Sequence, residues 1–109
     1  MKTYSGGEVV LISFPFTSSG GTKNRPALVL LDTGDDDILA ARMTSQNRQG
    51  LHDIEIKDWK QAGLLQPSVV RLHKIATLEK RDVERRLGAL SSSDWGVIKG
   101  EAAKLWCNL

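Results

Sequence analysis

The chain of 109 residues has little of what cross-links small folds or binds metals: one cysteine, Cys107, and two histidines, His52 and His73. A single thiol excludes an internal disulfide, and with two histidines it falls short of a structural zinc site. The expectation is a fold without metal and a reaction without a cofactor. No run approaches the roughly 18 apolar residues of a membrane span, and the opening MKTYSGG has no apolar signal core. A cytoplasmic protein with no membrane partner is therefore expected. The P-loop, G-x-S-x-G and H-E-x-x-H signatures are missing, which removes the usual routes to ATP-driven and metal-dependent chemistry. Aromatic residues make up only 6%, few for a base-stacking platform. Trp59, Trp95 and Trp106 read as core or interface packing. Net charge is also small: fifteen Lys and Arg against thirteen Asp and Glu give +2, so placement of charge matters more than its total.

What is present suits one globular domain over residues 1–109, with 40% hydrophobic and 26% charged residues around one core. Gly7 to Phe16 (GEVVLISFPF) is β-branched and aromatic and is closed by Pro15, which reads as a strand. Thr17 to Asn24 has the composition of a surface loop. Ala27–Leu31 and Ile38–Thr44 flank Asp32-Thr33-Gly34-Asp35-Asp36-Asp37, a hairpin signal; those aspartates lack EF-hand spacing and read as a solvated turn. Leu51–Ile56 is a further strand, Asp58–Ala62 one helical turn capped by Asp58 and stopped at Gly63, and Ser68–Leu78 another strand. Glu79–Leu90 fits either a helix or a turn feeding a strand. Ser91-Ser92-Ser93-Asp94 is an N-cap sequence, and Trp95, Ile98, Ala102, Leu105 and Trp106 lie on one face of a terminal helix. The fold class is mainly β with minor α: a bent antiparallel sheet closed towards a barrel, with the helix over an opening.

The side chains suited to phosphate are Arg25 at a loop-to-strand junction stiffened by Pro26, Thr44-Ser45-Gln46-Asn47 after the hairpin, and Arg71 with His73 on a later strand. A guanidinium grips two phosphate oxygens and stays charged at any working pH. On composition alone, Arg25 reads rather as a solvated surface charge, Thr44 and Ser45 as turn formers, and His73 as a structural or surface residue.

Taken in order, Gly7-Glu8-Val9-Val10, Phe14-Pro15-Phe16, Lys23-Asn24-Arg25-Pro26-Ala27-Leu28-Val29-Leu30, Thr44-Ser45, Val69-Val70-Arg71-Leu72 and Ile75-Ala76-Thr77-Leu78 resemble the MazF/PemK toxins of bacterial toxin-antitoxin modules. The resemblance spans nearly the whole chain. It implies an SH3-like barrel, a homodimer, and cleavage of single-stranded RNA without a metal ion. By position it implies Arg25 and Thr44 as the catalytic pair. Arg71 matches an arginine that some relatives also use. In those relatives an aspartate follows two positions later; here that position is His73, which puts a mechanism resting on that Arg/Asp pair in doubt.

The implied reaction is attack of the ribose 2′-hydroxyl on the adjacent phosphorus, giving a cyclic phosphate and a 5′-hydroxyl, to which DNA is inert. Arg25 and Thr44 would stabilise the phosphoryl oxygens, and His73, with an ordinary pKa near ~6.5, is the candidate proton shuttle. Lys23, Asn24, Ser45, Gln46, Asn47, Arg48, Arg71 and His73 would bind RNA. The resemblance also implies a cognate antitoxin, with operator DNA bound only through that complex. Two rivals stand beside this reading: a toxin of the same shape that poisons a protein such as DNA gyrase, and a non-catalytic nucleic-acid-binding regulatory barrel.

Overall fold

The computed structural model describes residues 2–15, 22–46 and 49–109. Among them, six strands run β1 (Glu8–Pro15), β2 (Thr22–Asp32), β3 (Asp37–Thr44), β4 (Asp53–Glu55), β5 (Val69–Glu79) and β6 (Val83–Ala89). A 3-10 turn, Lys80–Asp82, joins β5 to β6, and the helix α1 (Ser92–Cys107) follows. All pairs are antiparallel, in the order β4-β5-β3-β2-β1-β6.

Both faces of the central strands are buried, which is why their sequences read as continuous apolar runs rather than alternating ones. Val9, Leu28, Ala41, Met43 and Val70 belong to one core with Ile56, Ala62, Leu64 and Ile98. Their neighbours Val10, Ala27, Val29 and Ala40 belong to a second core with Tyr4, Ile12 and Ile38, against which Leu78 and Val83 pack. Bulges at Val9/Val10 and Leu11/Ile12, where β1 meets β6, and at Val29/Leu31, where β2 meets β3, bend the sheet into the barrel-like curve.

The two ends of the sheet, β4 and β6, share no ladder. The segment 57–63 bridges them by packing. Gly63 has φ +83°, and a Cβ there would run into the Leu87 carbonyl oxygen; a Cβ on Gly88 would meet the Ala62 carbonyl. Only glycine permits this approach. The helical turn expected on Asp58 is a turn, closed by bonds from the Ala62 N–H to the Asp58 C=O at 3.2 Å, from Gly63 to Lys60 at 3.1 Å and from Leu64 to Trp59 at 3.1 Å, and too short to count as a helix.

The ambiguous Glu79–Leu90 stretch resolves into the 3-10 turn and β6. The strand expected over Leu51–Ile56 is reduced to Asp53–Glu55, the residues in register with β5; beyond them, single bonds of 3.0 Å run from the Leu72 N–H to the His52 carbonyl and from the Ile56 N–H to the Ser68 carbonyl. Ser91 caps α1, its hydroxyl accepting the Asp94 N–H at 3.2 Å. Asp94 is itself buried and accepts from the Lys57 and Asp58 amides at 3.2 and 2.9 Å, so it ties α1 to the bridging segment. Trp95, Ala102 and Leu105 face the core, whereas Trp106 is 69% exposed and lies off that face. Among the described residues no helix is long and apolar enough to cross a membrane.

Candidate functional site

The Arg25-Pro26 pair is not at a loop-to-strand junction as the sequence suggests: β2 begins at Thr22, and Arg25 and Pro26 pair with Ile12 and Leu11 of β1. The β2–β3 ladder runs up to Ala27 opposite Arg42. Pro26 thus sits at the margin of that ladder, where a missing N–H costs least. The same register carried two residues further sets Arg25 opposite Thr44, the last residue of β3. Thr44 is half-buried, and its Oγ1 accepts the Gln46 N–H at 3.1 Å. That bond turns the chain out of the strand and leaves the hydroxyl proton to be donated elsewhere.

Arg25 and Thr44 share the walls of two cavities. The smaller, about 180 Å³, is lined by Arg25, Arg42, Met43, Thr44, Gln46 and Arg71, with no carboxylate among its described lining residues. The other, about 260 Å³, is mostly apolar, with Leu11, Pro26, Leu64, Leu65 and Leu87, and carries Ser45, Gln66, Ser68 and Arg85 as polar groups. A third recess of about 460 Å³ continues past Ser45 and Gln46 to Gln49, Gly50 and Asp53. A larger hollow of about 770 Å³ elsewhere, lined by Lys2, Asp36, Asp37, Glu79, Lys80, Arg81 and Val83, mixes acids with bases and holds none of the candidate residues.

Charge is concentrated in the small cavity by strand register. Arg42 and Arg71 are direct cross-strand partners, an arrangement of like charges that costs stability unless an anion lies nearby. One anion is in place: Asp53, the partner of Arg71 on its other side, accepts from Arg71 Nε at 3.0 Å. Burial pushes the Asp53 carboxyl up, but the Gly50 amide and the Arg71 guanidinium outweigh it and hold the net value below the usual carboxylate range. His73 Nε2 lies 3.4 Å from Arg71 Nη2, and the two histidine rings are 6.0 Å apart. Partial desolvation, with the positive charge of Arg71, lowers the His73 pKa against the pull of Asp53.

Of the residues singled out from sequence, Arg25, Thr44, Gln46 and Arg71 meet in one cavity, and Ser45 lines the two beside it. Asn24 is an exposed strand residue, and neither it nor His73 lines any of the three. Thr17–Gly21, Asn47, Arg48 and the side chain of Lys23 lie outside the described residues. Arg42, Arg85 and Asp53 were not foreseen. Arg42 carried a usable signal, since it precedes Thr44 by two on a strand and so shares its face; Arg85 lay in the ambiguous stretch, and Asp53 joins Arg71 only through the fold.

A family model described as PemK-like, MazF-like toxin of type II toxin-antitoxin system matches residues 5–105. The fold is similar to MazF from Deinococcus radiodurans, with a TM-score of 0.75 and 20% identity over 97% of this chain and 98% of that one. It is similar to Mycobacterium tuberculosis toxin MazF-mt6, at 0.72 and 20% over 91% and 95%. It also resembles a mycobacterial endoribonuclease solved in complex with its cognate antitoxin, at 0.75 and 18% over 94% and 93%. Among curated proteins none matches. With a family match over nearly its full length and a fold shared with solved MazF toxins, the chain belongs to the PemK-like, MazF-like toxins of type II toxin-antitoxin systems.

Proposed function

We propose that the protein is the endoribonuclease toxin of its module, cutting single-stranded RNA at the cavity shared by Arg25 and Thr44. In this reading a backbone phosphate enters the cavity, where Arg25, Arg42 and Arg71 offer planar donors and Thr44 a neutral one. The ribose 2′-oxygen attacks the phosphorus as its proton departs; the bond to the 5′-oxygen breaks, and that oxygen takes up a proton. Negative charge grows on the non-bridging oxygens along the way. Fixed cations and an alcohol stabilise that charge without a metal ion. His73 stands outside the cavity, so its influence on proton transfer runs through Arg71.

The observation that carries the proposal is the convergence of Arg25, Thr44 and Arg71, from three different strands, on one polar cavity. The proposal extends to the partners: a cognate antitoxin that competes with RNA for the basic groove, operator DNA reached through that complex, and a second copy of the chain as a homodimer. Support for the antitoxin comes from the mycobacterial endoribonuclease solved with its own. Incubation with a panel of single-stranded RNAs in EDTA tests the activity. Cleavage is expected, and a single 2′-deoxy nucleotide 5′ to the cut should block it. Cleavage that survives the 2′-deoxy substitution would contradict 2′-hydroxyl attack, and no cleavage in any sequence context would return the protein to a non-catalytic role.

A further inference from the structure

We infer that Asp53 is the positioning residue for Arg71, holding its guanidinium at the phosphate cavity; the inference rests on the ribonuclease reading for its effect on rate. Arg71 lies on β5 between two strands, opposite Arg42 on one side and Asp53 on the other. Left to itself, a guanidinium facing a like charge swings away from it. Asp53 prevents this by taking Nε at 3.0 Å; His73 Nε2 stands 3.4 Å from Nη2, and the other Nη protons remain for further acceptors.

The carboxylate is itself fixed. Its side chain is 1% exposed, against 21% for Arg71, and a carboxylate so enclosed is tolerated only with its oxygens satisfied. Oδ1 takes Arg71, and Oδ2 takes the Gly50 N–H at 3.0 Å. The Asp53 N–H returns to the Gly50 carbonyl at 3.1 Å, closing a tight turn just before β4. The clasp is close-fitting: a Cβ at 50 would lie 2.9 Å from Asp53 Oδ2 and press on the carboxylate. The chain of support runs from the Gly50 backbone through the Asp53 carboxylate to Arg71, and from Arg71 to the cavity of Arg25 and Thr44.

A buried ion pair can also be a mere staple between β4 and β5, so the test must separate aim from stability. Asp53→Asn keeps the shape and removes the charge. Gly50→Ala keeps the charge and crowds the carboxylate, and it serves if Asp53→Asn does not fold. The Arg71 Nε–H is followed by NMR in the intact protein, with and without inorganic phosphate, and RNA cleavage is measured for both variants, for Arg71→Ala, and for Asp53→Asn combined with Arg71→Ala. In the unsubstituted protein the Nε–H should give its own slowly exchanging signal, shifted by phosphate. In Asp53→Asn that signal should merge with the solvent-averaged arginines, and kcat should fall about tenfold through misplacement of one group. Gly50→Ala should lie between. The double variant should be no slower than Arg71→Ala within about twofold, because the two residues act as one unit. An Nε–H signal already averaged in the unsubstituted protein, or unchanged in both variants, overturns the inference, as do losses that multiply in the double variant. If the unsubstituted protein cleaves no RNA, the ribonuclease reading fails while the signal and its phosphate shift still decide whether Asp53 aims Arg71 at an anion.

Discussion

Two charged regions of this molecule use the same residue types to opposite ends. At one corner, where β2 ends, Asp32 accepts from Lys80 Nζ, the Tyr4 amide and the Gly34 amide, each at 2.8 Å. Lys80 in turn donates its backbone N–H to the Asp36 carbonyl at 2.8 Å. Both Asp32 oxygens are thereby spent on the fold. At the end of β3, Arg25, Arg42 and Arg71 surround a cavity with no carboxylate in its described lining, and Asp53 engages Arg71 from the β4 side. The contrast separates charge that closes a structure from charge gathered around an opening: Asp32 has donors on both oxygens, whereas Arg25, Arg42 and Arg71 line a cavity.

Substitutions on each side sharpen or break that contrast. Arg25→Ala has the largest expected effect. Loss of one donor at a developing oxyanion costs ~3 kcal/mol, or on the order of a hundredfold in kcat, while the thermal midpoint moves by at most a few degrees. Parallel RNA-cleavage rates and thermal melts check it; a large drop in the melt would move Arg25 to the structural side. Thr44→Val keeps the shape and removes the hydroxyl, and should slow cleavage by about tenfold, a hydrogen bond to a charged group being worth ~1.5–3 kcal/mol. Undiminished turnover would take Thr44 out of the mechanism.

The corner should respond in the reverse sense. Asp32 is held down to about 2 by Lys80, the Tyr4 amide and the Gly34 amide. Its folded value lies below the ordinary 3.8, so the stability it contributes is present above that value and fades as pH falls towards 2. Asp32→Asn should therefore lower the thermal midpoint at neutral pH, with the gap to the unsubstituted protein closing between pH 4 and 2, and leave cleavage per folded molecule unchanged. Melts across that pH range decide it; a gap that persists at pH 2 would contradict the assignment.

His73→Asn should have the smallest effect. The pKa of His73 is lowered from 6.5 by desolvation and by Arg71, which favours the neutral ring, and His73 lies outside the cavity. The pH–rate profile should keep its shape above neutrality. A limb lost on substitution would restore His73 as a proton carrier.

How far the sequence led differs between these regions for a physical reason. Strand positions such as Val9–Val10 and Leu28–Leu30 announce themselves through β-branched runs, and Ser91 through its capping pattern, because these signals are local. Arg25 and Thr44 were legible through the family pattern, and strand register brings them together. The Asp53–Arg71 pair was not legible: it joins residues 18 positions apart, and its geometry exists only after β4 and β5 pair. The residue two after Arg71, His73, drew attention because it stands where relatives carry an aspartate, yet a carboxylate reaches Arg71 from the neighbouring strand. Arg85 was hidden by a stretch whose apolar spacing fits two periods, and the Thr22–Asn24 stretch by polar composition, which tertiary pairing with β1 overrides.

Mass spectrometry of the RNA ends left by the purified protein in EDTA bears most directly on the central claim. The proposed 2′-hydroxyl attack at Arg25 and Thr44 predicts a 2′,3′-cyclic phosphate on one fragment and a 5′-hydroxyl on the other, both lost with Arg25→Ala. A 5′-phosphate paired with a 3′-hydroxyl would mean that water, not the ribose, attacks the phosphorus, and would contradict the account.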